Sequence, residues 1–150
     1  MPHYKATVSS SWSAAETFEY LATFSNAAHW DPGVLAAEQL DPGPVGAGTR
    51  FLLKVAFLGR SIPLTYAVTS YDPPRAVVLA AAGRLIRSVD RIVVTPAGDG
   101  ATVSYDADVQ LRGPLSLLHP FMNAGFQVVA GKAAAGLTQA LAAARPRSRS

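Results

Sequence analysis

The sequence contains no cysteine, and this absence excludes several kinds of chemistry. Without a thiol, the protein has no disulfide bond, no thiolate nucleophile and no zinc site built on cysteine ligands. Histidine is also scarce, with single residues at positions 3, 29 and 119. Because these histidines are scattered along the chain, they indicate neither a metal-ligand cluster nor a Ser-His-Asp triad. We therefore expect no metal site and no cofactor.

Charged residues are few, at 15% of the chain, while hydrophobic residues make up 49%. This balance is typical of a folded globular protein and unlike that of a disordered chain. No apolar run reaches the roughly 18 residues of a membrane span. The N-terminus also lacks the charged leader and apolar stretch of a signal peptide. These features predict a cytoplasmic protein that does not span a membrane.

The formal net charge of +3 comes from the C-terminal end of the chain. The last six residues, RPRSRS, contain three of the thirteen basic residues, so the rest of the chain is close to neutral. A nucleic-acid-binding surface needs a basic stripe with interleaved aromatic residues, which this sequence does not show. We predict a single domain over residues 1–144, a disordered basic tail over residues 145–150, and no nucleic-acid partner.

The order of sequence patterns predicts an α+β domain with an antiparallel sheet. A strand over residues 4–10 is followed by a short helix, in which Ser13 and Glu16 have the spacing of a capping box. Six strand-like segments follow between residues 34 and 111, separated by short turns rich in glycine and proline. Such short connections without intervening helices indicate antiparallel neighbours.

Residues 115–144 have apolar positions at helical spacing and predict one long C-terminal helix, with a break or a late start at Pro120. The first half of this segment carries bulky apolar side chains, whereas the second half is rich in glycine and alanine, including Gly131 and Gly136. Glycine inside a helix costs roughly 1 kcal/mol relative to alanine, which is tolerable where the helix approaches the sheet closely. We expect the helix to lie close to the sheet at its C-terminal end and to enclose a pocket at its N-terminal end, unless the bulky side chains fill that space.

One strand, over residues 85–95, has an unusual inner face. Its two arginines, Arg87 and Arg91, share one parity and are expected to point outward, which turns Ser88 and Asp90 inward. An unpaired carboxylate in an apolar interior costs several kcal/mol. Asp90 therefore requires a hydrogen-bonding neighbour, a raised pKa or a cavity that holds water or a ligand.

Two interpretations of Asp90 remain open on the sequence alone. It is either a structural acid whose hydrogen bonds are satisfied by a neighbour such as Tyr66 or Tyr105, or a polar group in a binding cavity. The pairing of the strand with the next one is expected to place Arg91 opposite Asp106 on the outer face, where the two charges can pair. Asp90 then has no charged residue beside it.

The stretch SNAAHWDPGV combines a histidine, an indole and a carboxylate at positions 29–31. Asp31, Pro32 and Gly33 have ordinary turn chemistry, in which the carboxylate accepts from the backbone. Trp30 is expected to close one end of the fold or to line its opening. Because His29 is adjacent to Trp30, we expect the histidine to face outward when the indole faces inward.

Several stretches taken together resemble the START-like SRPBCC superfamily, in its polyketide cyclase/dehydrase branch. The resemblance covers about residues 3–142 and is carried by SSSWSAAETFEYLATF, SNAAHWDPGV, GPVGAGTRF, VTSYDPP, RSVDRIVVTP, GDGATVSYDADVQLRG and AGKAAAGL. It implies a helix-grip fold, in which a curved antiparallel sheet of about seven strands wraps around a long C-terminal helix and two short helices follow the first strand. In many members the cavity between helix and sheet holds lipids, sterols, polyketides or hormones. Some members catalyse cyclisation, aromatisation or dehydration, and the fold does not fix the function.

The leading hypothesis is binding of a small hydrophobic or aromatic molecule, similar to a lipid, sterol or polyketide, in this cavity by a monomer or weak homodimer. The first alternative is a cyclase or aromatase that uses Asp90 and a cavity tyrosine, Tyr66 as the candidate, as acid and base. The second alternative is a protein-partner module that uses the apolar mouth of the cavity. The predicted ligand-binding residues are Trp30, Phe51, Leu53, Val55, Leu64, Tyr66, Ser88, Asp90, Ile92, Tyr105, Leu118, Phe121, Met122 and Phe126.

Overall fold

A computed structural model describes residues 3–57 and 59–142 of the chain, without the side chains of Phe57 and of residues 115, 116, 118–127 and 129. The predicted basic tail over residues 145–150 lies outside the described residues. Of the helices in the described ranges, none has both the length and the apolar character that crossing a membrane requires.

Seven strands form one antiparallel sheet in the order β1-β7-β6-β5-β4-β3-β2. All strands except β1 follow the chain order, so each is joined to its sheet neighbour by a local connection, as the short turns predict. The strands are β1 (His3–Ser10), β2 (Val34–Gln39), β3 (Arg50–Phe57), β4 (Arg60–Asp72), β5 (Ala76–Ala82), β6 (Ile86–Ala97) and β7 (Gly100–Leu111).

Three α-helices accompany the sheet: α1 (Ala14–Ala22), α2 (Ala27–Trp30) and α3 (His119–Ala142). The predicted capping box at the start of α1 is confirmed, because the Ser13 side chain accepts from the Glu16 N–H and the Glu16 carboxylate accepts from the Ser13 N–H. The late start of the C-terminal helix is confirmed as well, since Pro120 falls in the first turn of α3, where its missing N–H breaks no helical hydrogen bond. A 3₁₀ turn over Gly113–Leu118 precedes α3. This is the helix-grip arrangement.

The alternation of β6 is confirmed. Ser88, Asp90 and Ile92 are buried, while Arg87 and Arg91, at the alternate positions, are exposed. The same inward parity holds along β3, β4 and β7, so one face of the sheet is apolar and the other faces solvent.

The ion pair that Arg91 forms differs from the predicted one. Arg91 does lie opposite Asp106 in the ladder of β6 and β7, but its guanidinium is 3.6 Å from the carboxylate of Asp108. The Asp106 carboxylate instead lies 2.6 Å from the imidazole Nε2 of His3 on β1. Since β1 pairs with β7 on the other side, Asp106 has a partner that the β6–β7 hairpin alone does not reveal.

Buried apolar and aromatic side chains pack together on one part of the inner face, and we call this the filled region. It contains Phe18 of α1, Phe24, Phe51, Leu79 and Ile92, of which the last three have no solvent exposure. The ring of Phe24 packs edge-on against those of Tyr66, at a centroid distance of 5.0 Å, and Phe51, at 6.3 Å. These closely packed side chains form part of the main hydrophobic core.

The C-terminal end of α3 lies close to the rest of the protein, as expected. The Leu141 carbonyl accepts hydrogen bonds from the backbone N–H and the hydroxyl of Ser11. Gly136 lies directly against the carbonyl oxygen of Trp30, at the end of α2, with no room for a Cβ atom. The other glycine considered, Gly131, has nothing within 4 Å of its missing Cβ, so close approach explains only Gly136.

Candidate functional site

A cavity of about 140 Å³ lies between α3 and the strands β1, β7 and β6 of the inner face. We call this part of the protein the cavity region. Its apolar wall includes Trp30, Val109 and three α3 residues, Ala133, Ala134 and Leu137. Its polar lining residues are Tyr4, Asp31, Tyr66, Ser88, Asp90 and Tyr105. A volume of this size holds about one aromatic ring and is smaller than the roughly 300–1,000 Å³ of sites for drug-sized ligands.

Strand β6 carries Asp90 into the cavity, where the side chain is 6% exposed. One carboxylate oxygen accepts a hydrogen bond from the Ser88 hydroxyl at 3.0 Å, and the other accepts from the phenol of Tyr105. Burial raises the pKa of Asp90 to about 6, although both hydrogen bonds work in the opposite direction. The three solutions considered for this acid, a hydrogen-bonding neighbour, a raised pKa and a cavity, therefore occur together.

Two tyrosines complete the surroundings of Asp90. Burial and the nearby carboxylate of Asp90 raise the pKa of Tyr66 and that of Tyr105 well above the usual value for a phenol. Both phenols are therefore protonated at neutral pH and remain able to donate a hydrogen bond. The ring of Tyr105 also meets the indole of Trp30 edge-on, at a centroid distance of 5.5 Å, so the wall of the cavity is aromatic on this side.

A second carboxylate, that of Asp31, lines the same cavity. Its Oδ1 accepts the predicted turn hydrogen bond from the Gly33 N–H at 2.8 Å. Burial raises the pKa of Asp31, and the negative charge of Asp31 contributes to the raised pKa of Asp90. Two carboxylates thus face one small cavity, and the charge of Asp31 makes Asp90 harder to ionise.

The sequence does not reveal that the Asp31 side chain lines the cavity. The expected orientations of its neighbours are confirmed, since Trp30 is buried and His29 is exposed. However, α2 ends at Trp30 and Asp31 has an extended backbone, with φ −106° and ψ 109°. Beyond the end of a helix, its periodicity no longer determines where a side chain points. The turn motif indicated a backbone-capping carboxylate and gave no sign of the cavity.

Five of the predicted ligand-binding residues come together around the cavity: Trp30, Tyr66, Ser88, Asp90 and Tyr105. Five others, Phe51, Leu53, Val55, Leu64 and Ile92, lie elsewhere on the inner face, outside the lining of this cavity. The side chains of Leu118, Phe121, Met122 and Phe126 lie outside the described part of the structure. Their role in binding stays a prediction.

Among the described residues, the cavity lies against the alanine-rich second half of α3. Alanine side chains are small, so they leave volume between the helix axis and the sheet even where the backbone is held close at Gly136. The side chains of the bulky first half lie outside the described part of the structure, so a pocket beside that half stays a prediction.

On the outer face of the sheet, His3, Asp106 and Asp108 bring potential metal-ligand atoms within 4.8 Å of one another. Each carboxylate of this cluster already has a partner: the His3 imidazole contacts Asp106, and the Arg91 guanidinium contacts Asp108. The cluster is exposed or half-buried and lies on the face opposite the cavity. It therefore has no part in the candidate site.

Comparison with protein families gives one match, over residues 1–143, to a family described as polyketide cyclase/dehydrase and lipid transport. Comparison with curated proteins gives no match.

Several solved structures have the same fold. A START superfamily protein from Mycobacterium smegmatis is 17% identical with a TM-score of 0.75, covering 93% of this chain and 96% of its own. A protein from Thermus thermophilus is 16% identical with a TM-score of 0.75, covering 92% and 95%. The Zhui aromatase/cyclase from Streptomyces sp. R1128 is 16% identical with a TM-score of 0.68, covering 91% and 93%. At such identities the likeness shows a shared fold.

Proposed function

Because the chain belongs to the polyketide cyclase/dehydrase and lipid transport family, we propose that it binds a small hydrophobic or aromatic ligand between the sheet and α3. The observation that carries this proposal is the cavity of about 140 Å³. Ligand sites are mostly apolar with a few well-placed polar groups, and this cavity combines an apolar wall with two carboxylates. Lipid transport in the family description and the aromatic wall both favour a hydrophobic ligand.

A pair of matched variants tests this proposal. Ala133 lines the cavity, whereas Ala135, two residues further along α3, is exposed. Ala133→Leu fills the cavity, and Ala135→Leu adds the same side chain to the helix surface. We expect native mass spectrometry and Trp30 fluorescence to show binding of one-ring aromatic probes to the wild type and to Ala135→Leu, and loss of binding in Ala133→Leu. Equal binding by both variants would place the ligand elsewhere.

A second candidate function is acid–base catalysis of a cyclisation or dehydration. Its supporting observation is the hydrogen-bonded pair of Asp90 and Tyr105 in the cavity, with the pKa of Asp90 raised to about 6. A general acid or base is most effective when its pKa lies near the working pH. Tyr66, which the sequence predicts as the acid–base partner of Asp90, faces the same cavity. The phenol that donates a hydrogen bond to Asp90, however, is that of Tyr105.

Turnover of a poly-β-ketone substrate distinguishes catalysis from binding alone. If Asp90 is the acid or base, Asp90→Asn abolishes turnover but keeps the binding of toluene, and the wild-type rate changes with pH near 6. The exposed Asp99→Asn variant, in the turn between β6 and β7, serves as the control. Unchanged turnover in Asp90→Asn would exclude the catalytic role and leave the binding function intact.

A further inference from the structure

The ionisable groups among the described residues that line the cavity are all acidic. In the described part of the chain they are Tyr4 from β1, Asp31 after α2, Tyr66 from β4, Asp90 from β6 and Tyr105 from β7. The described residues of α3 add alanine and leucine. Residues 115–129 contain neither lysine nor arginine, and their one ionisable residue is His119, whose side chain lies outside the described part of the structure. The arginines of β6 point to the other face and are exposed. The described lining therefore offers no cation to neutralise an anionic ligand.

The carboxylate of Asp31 has hydrogen-bond acceptor capacity that the described residues do not use. The two carboxylate oxygens of Asp90 accept from Ser88 and Tyr105. Among the described residues, only the Gly33 N–H donates to Asp31, and it donates to Oδ1. A carboxylate oxygen accepts two hydrogen bonds, and a half-buried carboxylate with unused acceptor capacity gains from a donor supplied by a ligand.

We infer that the cavity selects a one-ring aromatic ligand that carries a hydrogen-bond donor, such as a phenolic hydroxyl or an ammonium group, and rejects ligands with a carboxylate or a phosphate. This inference rests on the proposed binding function and narrows its ligand class. The ring fits the volume of the cavity and its aromatic wall of Trp30 and Tyr105. The donor meets Asp31 and Asp90. An anionic head, as in a fatty acid, would be placed near two acidic side chains without a compensating charge.

The titration of the two carboxylates adds a pH dependence. Burial raises the pKa of both groups, that of Asp90 to about 6. Phenols keep their protons at neutral pH, so between about pH 5 and 7.5 the described lining gains negative charge as Asp90 ionises. Binding of an ammonium probe is therefore expected to strengthen as the pH rises through this range, while binding of a neutral phenol changes less.

Four probes of similar shape test the inference: toluene, p-cresol, benzylamine and benzoate. Binding is followed by Trp30 fluorescence in a Trp12→Phe background, because Trp12 and Trp30 are the two tryptophans of the chain. At about pH 7.5 we expect p-cresol and benzylamine to bind roughly tenfold more tightly than toluene, as one charge-assisted hydrogen bond provides. We expect benzoate to bind more weakly than toluene.

The outcomes separate the inference from the proposed function. If toluene binds but benzoate binds as tightly as p-cresol and benzylamine, the donor preference is wrong and the binding function stands. If none of the four probes binds, the one-ring cavity site is wrong as well.

Charge-removing variants identify the groups responsible. Asp31→Asn and Asp90→Asn are each expected to reduce the preference for benzylamine over toluene and to weaken the discrimination against benzoate. The exposed Asp99→Asn variant is the matched control and should keep the wild-type order of probes. Toluene affinity reports whether each variant retains the cavity. If both cavity variants bind toluene and keep the wild-type order of probes, the carboxylates do not select the ligand.

Discussion

The filled region and the cavity region lie on the same face of the same sheet, yet one is packed with apolar side chains and the other contains a cavity lined in part by carboxylates. On β6, Ile92 has no exposure and belongs to the apolar core, while Asp90, two residues earlier, is 6% exposed and faces a cavity. The aromatic side chains of Phe18 and Phe24 pack into the filled region, whereas small alanines of α3 cover the cavity region. Equal burial thus does not imply equal packing, and the size of the covering side chains makes the difference.

The largest expected difference between the regions is the cost of removing a leucine. Leu79 and Leu137 are both almost fully buried, but Leu79 belongs to the filled region and Leu137 lines the cavity. We expect Leu79→Ala to lower the free energy of unfolding by about 4 kcal/mol, and Leu137→Ala by about 2 kcal/mol, because a side chain beside a void has fewer contacts to lose. Urea unfolding measures both. Equal losses would mean that the cavity region is packed as tightly as the filled region.

The second prediction concerns the charge of Asp90. Its pKa is raised from 3.8 to about 6 in the folded protein, so the unfolded chain releases this proton first as the pH rises. Asp90 therefore lowers the stability progressively between about pH 4 and 6, and its full penalty is present above pH 6, at about 3 kcal/mol. The free energy of unfolding of Asp90→Asn, relative to that of the wild type, should therefore rise by about this amount between about pH 4 and 7.

Urea unfolding of both proteins across this pH range measures the gain. The Asp99→Asn control should follow the wild type at each pH. A constant difference between Asp90→Asn and the wild type would show that Asp90 has an ordinary pKa and does not lie in a low-polarity cavity.

The third prediction uses two glycines of α3 that differ in their surroundings. A Cβ at Gly136 would collide with the Trp30 carbonyl, whereas a Cβ at Gly131 would meet nothing within 4 Å. We expect Gly136→Ala to destabilise the protein by about 2 kcal/mol and Gly131→Ala to stabilise it by up to about 1 kcal/mol through helix propensity. Thermal and urea unfolding show whether each substitution raises or lowers the stability. Stabilisation by both substitutions would show that α3 does not contact α2 at Gly136.

The smallest effect is expected at the capping box of α1, the helix that carries Phe18 into the filled region. Ser13→Ala removes the side-chain acceptor of the Glu16 N–H and should lower the stability by about 1 kcal/mol. Because neither Ser13 nor Glu16 lines the cavity, p-cresol affinity is expected to stay at the wild-type value. A parallel loss of stability and affinity would indicate that the two regions are coupled.

Local patterns were sufficient to predict the antiparallel sheet, the long C-terminal helix and the presence of Asp90 on the inner face, while the family resemblance implied the helix-grip fold. The spacing of Ser13 and Glu16 fixed the start of α1, and the parity of Arg87 and Arg91 fixed the orientation of Asp90. The β6–β7 pairing was also predictable, although the strands extend further than expected and leave a turn of Gly98 and Asp99. Each of these features depends on residues that are close in sequence.

The features that were missed depend on contacts between distant segments. Asp31 faces the cavity because the backbone leaves α2 in an extended conformation, and the partner of Asp106 is His3, more than one hundred residues away. A single sequence contains no direct signal for such contacts, since they form only when the sheet closes around the helix.

A crystal structure of the protein with saturating p-cresol tests the central claim most directly. We predict electron density for one ring between Trp30 and the alanines of α3, with its hydroxyl within hydrogen-bond distance of Asp31 or Asp90. A cavity that contains only ordered water at saturating p-cresol, or a ring bound on another surface, would contradict the claim that this cavity is a ligand site.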